Sequence, residues 1–283
     1  MRTVDALVAR TAAALRRCGV RYRLFRRHSS VEFPEIEVAF PGLPEAFDGF
    51  RIAQISDLHY NPWCEESDYD RLFRLVAGCE PDLCVVTGDN VSCGARFIGP
   101  IVGKLASLRA PHGAYAVLGN HDYREDANET ARCYEAHGIK LLVNEWDAVT
   151  RDGQNLIVAG IDDHVIGRPD LANALSGVSE GAPVVLLSHV SCAIEHAGMS
   201  RVGLVLSGHT HGGQINFPLV GPLYLPVRAS RRRLGGYHRT PHTQLYISRG
   251  VGVTGVWFRW RAQPEVPTIV LRRGGGPGQP PRR

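Results

Sequence analysis

Phe50-Arg51-Ile52-Ala53-Gln54-Ile55, followed at once by Ser56-Asp57-Leu58-His59, is the stretch that sets the architecture. It is an apolar run of strand length that ends in an aspartate and a histidine two residues apart. Residues two apart on an extended chain project to the same side, so both side chains can reach one metal ion. The pattern recurs along the chain. Leu83–Thr87 runs into Gly88-Asp89-Asn90, and Ala114–Leu118 into Gly119-Asn120-His121-Asp122. Val184–Leu187 runs into Ser188-His189, and Val202–Leu206 into Gly208-His209-Thr210-His211-Gly212-Gly213-Gln214. Helical patterns lie among the first of these runs: Asp68–Ala77, with Leu72, Leu75 and Val76 on one face, then Phe97–Leu108 and Glu129–His137. Short buried strands alternating with helices predict an α/β fold with parallel pairing. Each polar block then sits just beyond the carboxyl end of a strand, where open α/β sheets place their crevices.

Outward from that core, Val31–Phe40 reads as a further strand, closed by Pro41-Gly42-Leu43-Pro44. The second half offers strand patterns at Leu141–Val143, Ala148–Thr150, Leu156–Ala159, Leu245–Ile247 and Thr268–Leu271, with fewer helices between them. A second, mixed sheet packed on the first is expected. The chain divides into a basic amphipathic segment (1–30), one large domain (31–272) and a Gly/Pro/Arg tail (273–283) expected to be disordered.

With 44% of its 283 residues hydrophobic, the chain can fill a sizeable core. No run reaches the ~18–20 apolar residues needed to span a bilayer, and no secretory signal is recognisable. Seven cysteines, an odd number without a Cys-x-x-Cys pair, read as free thiols in a reducing compartment, so a cytoplasmic location is expected. In the first thirty residues Val4, Leu7, Val8 and Leu15 follow near-helical spacing among eight arginines, opposed only by Asp5. Two readings fit such a segment: an anionic membrane surface on the inner face as its partner, or a solvated helix capping the domain.

The blocks supply two aspartates, one asparagine and four histidines: Asp57, His59, Asp89, Asn120, His189, His209 and His211. This is an oxygen and nitrogen donor set without thiolate, suited to Mn, Fe, Co or Zn rather than Ca. Seven donors are too many for one tetrahedral ion and fit two divalent ions ~3.5–4 Å apart, sharing a carboxylate and a solvent oxygen. Such a pair lowers the pKa of the bridging water, clamps phosphoryl oxygens and holds an in-line attack. His121, next to Asn120, is tethered at the site and free to act as general acid toward the leaving oxygen. Asp122 fits a role orienting its neighbours. Asp162 and Asp163 read either as residues near the site or as turn formers.

In order and spacing, the Asp-x-His, Gly-Asp, Gly-Asn-His-Asp, lone histidine and Gly-His-Thr-His-Gly-Gly-Gln blocks resemble the calcineurin-like metallophosphoesterase superfamily. The likeness extends through 43–49, Gly160-Ile161-Asp162-Asp163 and 245–252, which look like its bacterial membrane-associated phosphodiesterase branch. Some members of that branch cleave the pyrophosphate of UDP-2,3-diacylglucosamine. The resemblance implies a four-layer αββα sandwich of two mixed sheets flanked by helices. It implies that Asp57, His59 and His211 hold one ion, that Asn120, His189 and His209 hold the other, that Asp89 bridges, and that His121 faces the substrate. The expected substrate is a phosphoester, on this likeness a lipid-linked one.

The block Gly88-Asp89-Asn90-Val91-Ser92 lacks the second aspartate and the arginine of the protein phosphatases, which argues against that activity. Arg228 and Arg231, in the Arg-rich stretch after the last block, and Arg249, at a strand end among glycines, are candidates for holding substrate phosphate. Trp257, Phe258 and Trp260 read as core or as an apolar lip for a lipid chain. A nuclease of the same superfamily is the alternative enzyme, but nucleic acid is not the expected partner, since no DNA-recognition domain is visible. A non-catalytic, metal-bound membrane scaffold is the alternative of a different class.

Overall fold

Two stacked six-stranded sheets carry the chain, and both are mixed. The computed structural model describes residues 24, 31–40, 42–195, 201–222, 226, 233–240, 243–256 and 258–274. The amphipathic start (apart from residue 24), most of the Arg-rich stretch including Arg228 and Arg231, Trp257, and the tail beyond 274 lie outside the described residues.

In chain order the elements are β1 (Glu35–Phe40), β2 (Arg51–Ile55), α1 (Glu66–Ala77), β3 (Leu83–Val86), α2 (Ile98–Leu105), β4 (Ala114–Ala116), α3 (Asn120–Ala136) and β5 (Ile139–Leu141). There follow β6 (Glu145–Arg151), β7 (Gln154–Gly160), α4 (Leu171–Ala174), β8 (Val184–Leu187), β9 (Leu204–Ser207), β10 (Asn216–Phe217), β11 (Gly221–Pro222), β12 (Gly236–Arg239), β13 (Gln244–Ile247) and β14 (Thr268–Arg273). The first sheet runs β1-β14-β2-β3-β4-β5, and the second β12-β13-β9-β8-β7-β6. β2 through β5 are parallel, as are β7, β8, β9 and β13, whereas β14 against β2, β6 against β7 and β12 against β13 are antiparallel. The hairpin β10–β11 stands apart from both sheets.

Alternation along the strands builds the layers. In β2 and β3, Ile52, Leu83 and Val85 enter the core between the sheets, while Ala53, Ile55, Cys84 and Val86 turn to the helices. Val185, Leu187, Leu204 and Leu206 of β8 and β9 meet them from the other sheet, and Val184, Leu186 and Val205 face outward to α4. Strands covered on both faces read as continuous apolar runs, which is why these were legible. On the outer face of the first sheet lie α1, α2 and α3. The second sheet has a thinner cover, α4 and a 3-10 turn at Ser191–Glu195. The result is the four-layer αββα sandwich.

Several element bounds differ from the sequence expectation. The strand expected from Val31 is continuous only from Glu35 onward, preceded by an isolated parallel bridge between Glu32 and Glu265. On α1 the buried stripe is Tyr69, Leu72, Phe73 and Val76, and Leu75 is exposed. The helix expected at Glu129 begins nine residues earlier, at Asn120, and is interrupted at Asp126, whose backbone is extended. Asp126 Oδ1 there accepts the Glu129 amide at 2.9 Å, capping a second segment where the apolar pattern begins.

Candidate functional site

The carboxyl ends of β2, β3, β4, β8 and β9 converge at one edge of the interface between the sheets. Loop amides prolong the strand pairing beyond the strands themselves: Asp57 N–H donates to Gly88 O, His59 N–H to Asp89 O, and Gly208 N–H to His189 O. The close approach leaves no room for side chains at two positions. A Cβ on Gly208 would collide with Ser56 Oγ and Asp57 Oδ2, and one on Gly119 would lie 2.6 Å from the Asp89 nitrogen. Asp57, His59, Asp89, His209 and His211 all have left-handed backbones, with φ of 51°, 43°, 59°, 70° and 53°. Non-glycine residues in that region cost on the order of 1 kcal/mol or more each, and they cluster where function demands a particular side-chain placement.

All seven candidate ligands are buried. Their donor atoms form overlapping clusters: Asp57, His59 and His211 in one, Asp89, His189 and His209 in another, and His59, Asp89 and His121 between them. Within the first, His59 Nε2 lies 3.0 Å from His211 Nε2, and His211 Nε2 3.4 Å from Asp57 Oδ1. Within the second, His209 Nδ1 lies 3.1 Å from His189 Nε2, which is 3.2 Å from Asp89 Oδ2. Asp89 Oδ2 also lies 3.6 Å from His59 Nε2, so one carboxylate oxygen faces both clusters.

The surroundings fix the rings. His189 Nδ1 is 2.7 Å from the Thr87 carbonyl, so Nδ1 carries a proton and Nε2 is the nitrogen turned toward the cluster. His59 Nδ1 is held by Ser92 Oγ at 2.7 Å. Two pairs of imidazole nitrogens at hydrogen-bond distance, flanked by buried carboxylates, form a donor set that fits divalent cations. Asn120 supplies a second sign of fit. It is buried at the start of α3, and its Oδ1 has no hydrogen-bond partner in the protein. A buried amide oxygen left unpaired is costly unless a cation satisfies it.

Electrostatics follow from this crowding. For Asp57 and Asp89, burial opposes ionisation, but neighbouring histidines outweigh it and hold both carboxyls well below the ordinary range. His189 is driven the other way: burial disfavours its charge, yet Asp89, Asp57 and Asp163 raise it to about 10. His121 is pushed down to about 3 by burial, His59 and Arg124, against the pull of Asp89. Burial and Asp89 lift Asp122 to about 6.

His121 sits at the rim, partly exposed, with its ring edge-on to His59 at 4.7 Å between centroids. Its amide donates to Asp89 Oδ1 at 2.7 Å, tying the first turn of α3 to the shared carboxylate. Asp122 does the orienting work expected of it. It accepts the amides of Asp89, Asn90 and Gly119 at 2.8, 2.9 and 2.9 Å. Asp162 and Asp163 are turn formers, accepting the amides of Arg168, Val165 and Ile166, although the charge of Asp163 is felt at His189.

Arg249 is placed differently from the expectation of an open phosphate contact. Its guanidinium pairs with Glu32 at 2.6 Å and with Glu265. Two other arginines were missed. Arg124, one turn after His121 and exposed, brings Nη1 to 3.3 Å from His121 Nε2. Arg259 is caged by the carbonyls of Gly252, Arg249 and His211 and brings Nη2 to 3.2 Å from His211 Nδ1. The i, i+3 spacing of Arg124 on a helix would have pointed to it had the start of α3 been foreseen; Arg259 carries no sequence signal.

Comparison with known proteins agrees with this geometry. The family model for calcineurin-like phosphoesterase matches residues 50–213, which contain all seven donors and His121. An uncharacterised metallophosphoesterase of Bacillus subtilis, YkuE, is 31% identical over 258 residues, covering 90% of each chain. One from Aquifex aeolicus is 30% identical over 231 residues, 80% of this chain and 86% of that one. A transmembrane protein with metallophosphoesterase domain from Danio rerio is 30% identical over 96% of this chain, which spans 63% of that protein's length. On the family match and the coverage of these relatives, the chain belongs to the calcineurin-like phosphoesterases, a family of metal-dependent phosphoester hydrolases.

Proposed function

We propose that Asp57, His59 and His211 hold one divalent ion, that Asn120, His189 and His209 hold a second, and that Asp89 is shared between them. The observation that carries this reading is the position of Asp89, whose Oδ2 faces His59 at 3.6 Å and His189 at 3.2 Å, one from each cluster. The donor set suits Mn, Fe or Zn. Two such ions, when bound there, would supply Lewis acidity toward a phosphoryl group and lower the pKa of a bound water. The rest belongs to the chain. The Ser92 hydroxyl and the Thr87 carbonyl keep the His59 and His189 rings aimed inward. The α3 amide of His121 fixes Asp89. His121 stands at the rim, with its charged form disfavoured by burial. Approaching phosphoryl charge raises its proton affinity, so it takes up a proton from solvent as substrate binds, gives that proton from the imidazolium to the leaving oxygen, and returns to the neutral ring.

The reaction is hydrolysis of a phosphodiester or pyrophosphate. The narrower reading, a nucleotide-linked lipid such as UDP-2,3-diacylglucosamine turned over at the inner face of the cell membrane, is supported by the likeness of 43–49, 160–163 and 245–252 to the membrane-associated branch. The description of the Danio rerio relative as a transmembrane protein agrees with a substrate at a membrane. In this reading residues 31–272 form the hydrolase and residues 1–30 its basic membrane contact.

The test is a metal-reconstituted assay over a chromogenic phosphodiester, glycerophosphodiesters, cyclic nucleotides and UDP-2,3-diacylglucosamine. Wild type should hydrolyse diesters only when loaded with ions, and Asp89→Asn should be inactive while still folded. Full turnover by chelated protein would refute the assignment.

A further inference from the structure

The first turns of α3 are held by loops on two sides. Asp122 accepts the amides of Asp89 and Asn90 at 2.8 and 2.9 Å. The Tyr123 hydroxyl donates to Asp162 Oδ1 at 2.5 Å, and the Glu125 carboxylate accepts the Cys93 and Gly94 amides at 2.8 and 2.7 Å. The loops after β3 and β7 are thus tied to one short helical segment, which ends where the backbone opens at Asp126. Side chains 122, 123 and 125 are all engaged in this. His121 and Arg124, three residues apart and so neighbours on one helix face, are what the segment presents at the rim of the cleft.

The pair has a direction. His121 Nδ1 is turned toward Ser92 Oγ at 3.5 Å, beside the His59 ring. Nε2 is therefore the nitrogen left for a leaving oxygen, and Arg124 Nη1 lies 3.3 Å from it. The guanidinium stands beside the place where the leaving group departs.

Arg124 is also uncommitted. Arg249 is closed by Glu32 and Glu265, and Arg259 by main-chain carbonyls. Arg124 is exposed and, among the described residues, forms no ion pair. Its guanidinium carries five N–H donors, of which one ring nitrogen takes one. Exposed arginines are ordinarily solvated; the position of this one, fixed against the proton-delivering histidine, sets it apart. The planar fork matches phosphate oxygens, which it grips in pairs.

The chemistry of the leaving group narrows the anion. In a simple diester the leaving oxygen is bonded to carbon, and nothing beside it carries charge. In a pyrophosphate it is bonded to a second phosphorus, whose anionic oxygens are only two bonds away. As the oxygen of water bonds to the attacked phosphorus, the bond to the bridging oxygen breaks and its electron pair stays on the departing phosphate. Charge then grows beside Arg124 while His121 supplies the proton.

We propose that Arg124 is a specificity-determining residue that grips a phosphate on the leaving-group side, favouring phosphoanhydrides over diesters whose leaving group is uncharged. The inference rests on the reading of His121 as the group that faces the leaving oxygen.

The test uses the ion-loaded full chain and two soluble substrates that share the uridylyl group under attack. Diuridine 5′-pyrophosphate releases UMP as its leaving group, and uridine 5′-phenyl phosphate releases phenol. Arg124→Ala should lower the ratio of kcat/KM, pyrophosphate over phenyl ester, about 10–100-fold, as expected for charge-assisted hydrogen bonds. Arg124→Lys should recover part of it. The side chain is exposed, so the alanine variant should melt with wild type. The sign separates this role from an effect passed through His121. A phenol oxygen, with a pKa of about 10, needs the acid more than a phosphate of about 6. A disturbed His121 would therefore penalise the phenyl ester and raise the ratio, and His121→Ala supplies that reference. A ratio that is unchanged or rises in Arg124→Ala overturns the proposal, as does a wild type that hydrolyses the phenyl ester and spares the pyrophosphate. Turnover of neither substrate by wild type would count against the proposed reaction, and binding then decides on Arg124. Equilibrium dialysis of the methylene analogue of diuridine pyrophosphate should show about tenfold weaker binding by Arg124→Ala. Equal binding by the variant, or none by wild type, overturns the proposal.

Discussion

Gly119→Ala tests whether the site depends on the spacing between its loops. Gly119 has φ −105° and ψ 172°, an extended conformation open to alanine, so the substitution adds a methyl group without backbone strain. That methyl would lie 2.6 Å from the Asp89 nitrogen and 2.9 Å from Asp89 Cγ, and closer still to Oδ1. Ordinary contact begins near 3.4 Å, so the Asp89 loop must withdraw by 3.4 − 2.6 = 0.8 Å at the nitrogen and 3.4 − 2.9 = 0.5 Å at Cγ. Coordination tolerates only about ±0.2 Å, and a misplacement approaching 1 Å costs on the order of 10²-fold in rate. Overpacking of this kind destabilises by about 1–3 kcal/mol, a fall of roughly 2–12 °C in melting temperature for a chain of this size. The expected variant is therefore folded, slow on a chromogenic diester by about a hundredfold, and low in bound ion by elemental analysis. Wild-type kcat with a full ion complement would refute the claim that Asp89 is held in place by contact with Gly119.

Three further outcomes are expected. His121→Ala should retain bound ions yet lose about 10²–10⁴ in kcat, most strongly for substrates with poor leaving groups; equal loss across leaving groups would remove it from proton delivery. Arg259→Ala should weaken ion retention about 10–100-fold, since the His211 loop loses the guanidinium that ties its carbonyl to those of Arg249 and Gly252, and elemental analysis across a chelator series reads this. In chelated protein, His121 at about 3 in the fold against 6.5 in the unfolded chain leaves the unfolded state with more protons below 6.5, so stability rises with pH up to that point. His189 at about 10 reverses the sign above 6.5, where the fold holds the extra proton, and stability then falls. Thermal melts should peak near pH 6.5, and ion loading should flatten the alkaline branch because His189 Nε2 is then occupied.

How far the sequence could be read depended on what each feature rests on. Strands such as Leu83–Val86 and Val184–Leu187 are apolar on both faces because helices and a second sheet cover them, so their burial is written in consecutive residues. The seven candidate donors were legible because each follows such a strand closely, and six of them, all but Asn120, fall in the buried clusters. The start of α3 was missed because Asn120-His121-Asp122 carries no apolar stripe; that turn is organised by Asp122 against amides of its own and the neighbouring loop. The pairing of Arg249 was invisible for another reason: one partner, Glu32, lies 217 residues away in sequence. The short strands Asn216–Phe217 and Gly221–Pro222 bury almost nothing, so periodicity had no signal to offer there.

The division of the donors between two sheets has a kinetic consequence. His59 reaches His211 across 152 residues of chain, and His189 reaches Thr87 across 102. No fragment of one sheet assembles either cluster, so the ions have nothing complete to bind until both sheets have docked. Contacts of such sequence separation form late, after the entropy of closing the intervening loops has been overcome. Interactions made after the transition state leave the folding rate unchanged and slow unfolding. With the ligands assigned as proposed, the metal centre would therefore be a latch on a finished fold: ion supply would govern how long each native molecule lasts, with little influence on how fast it forms.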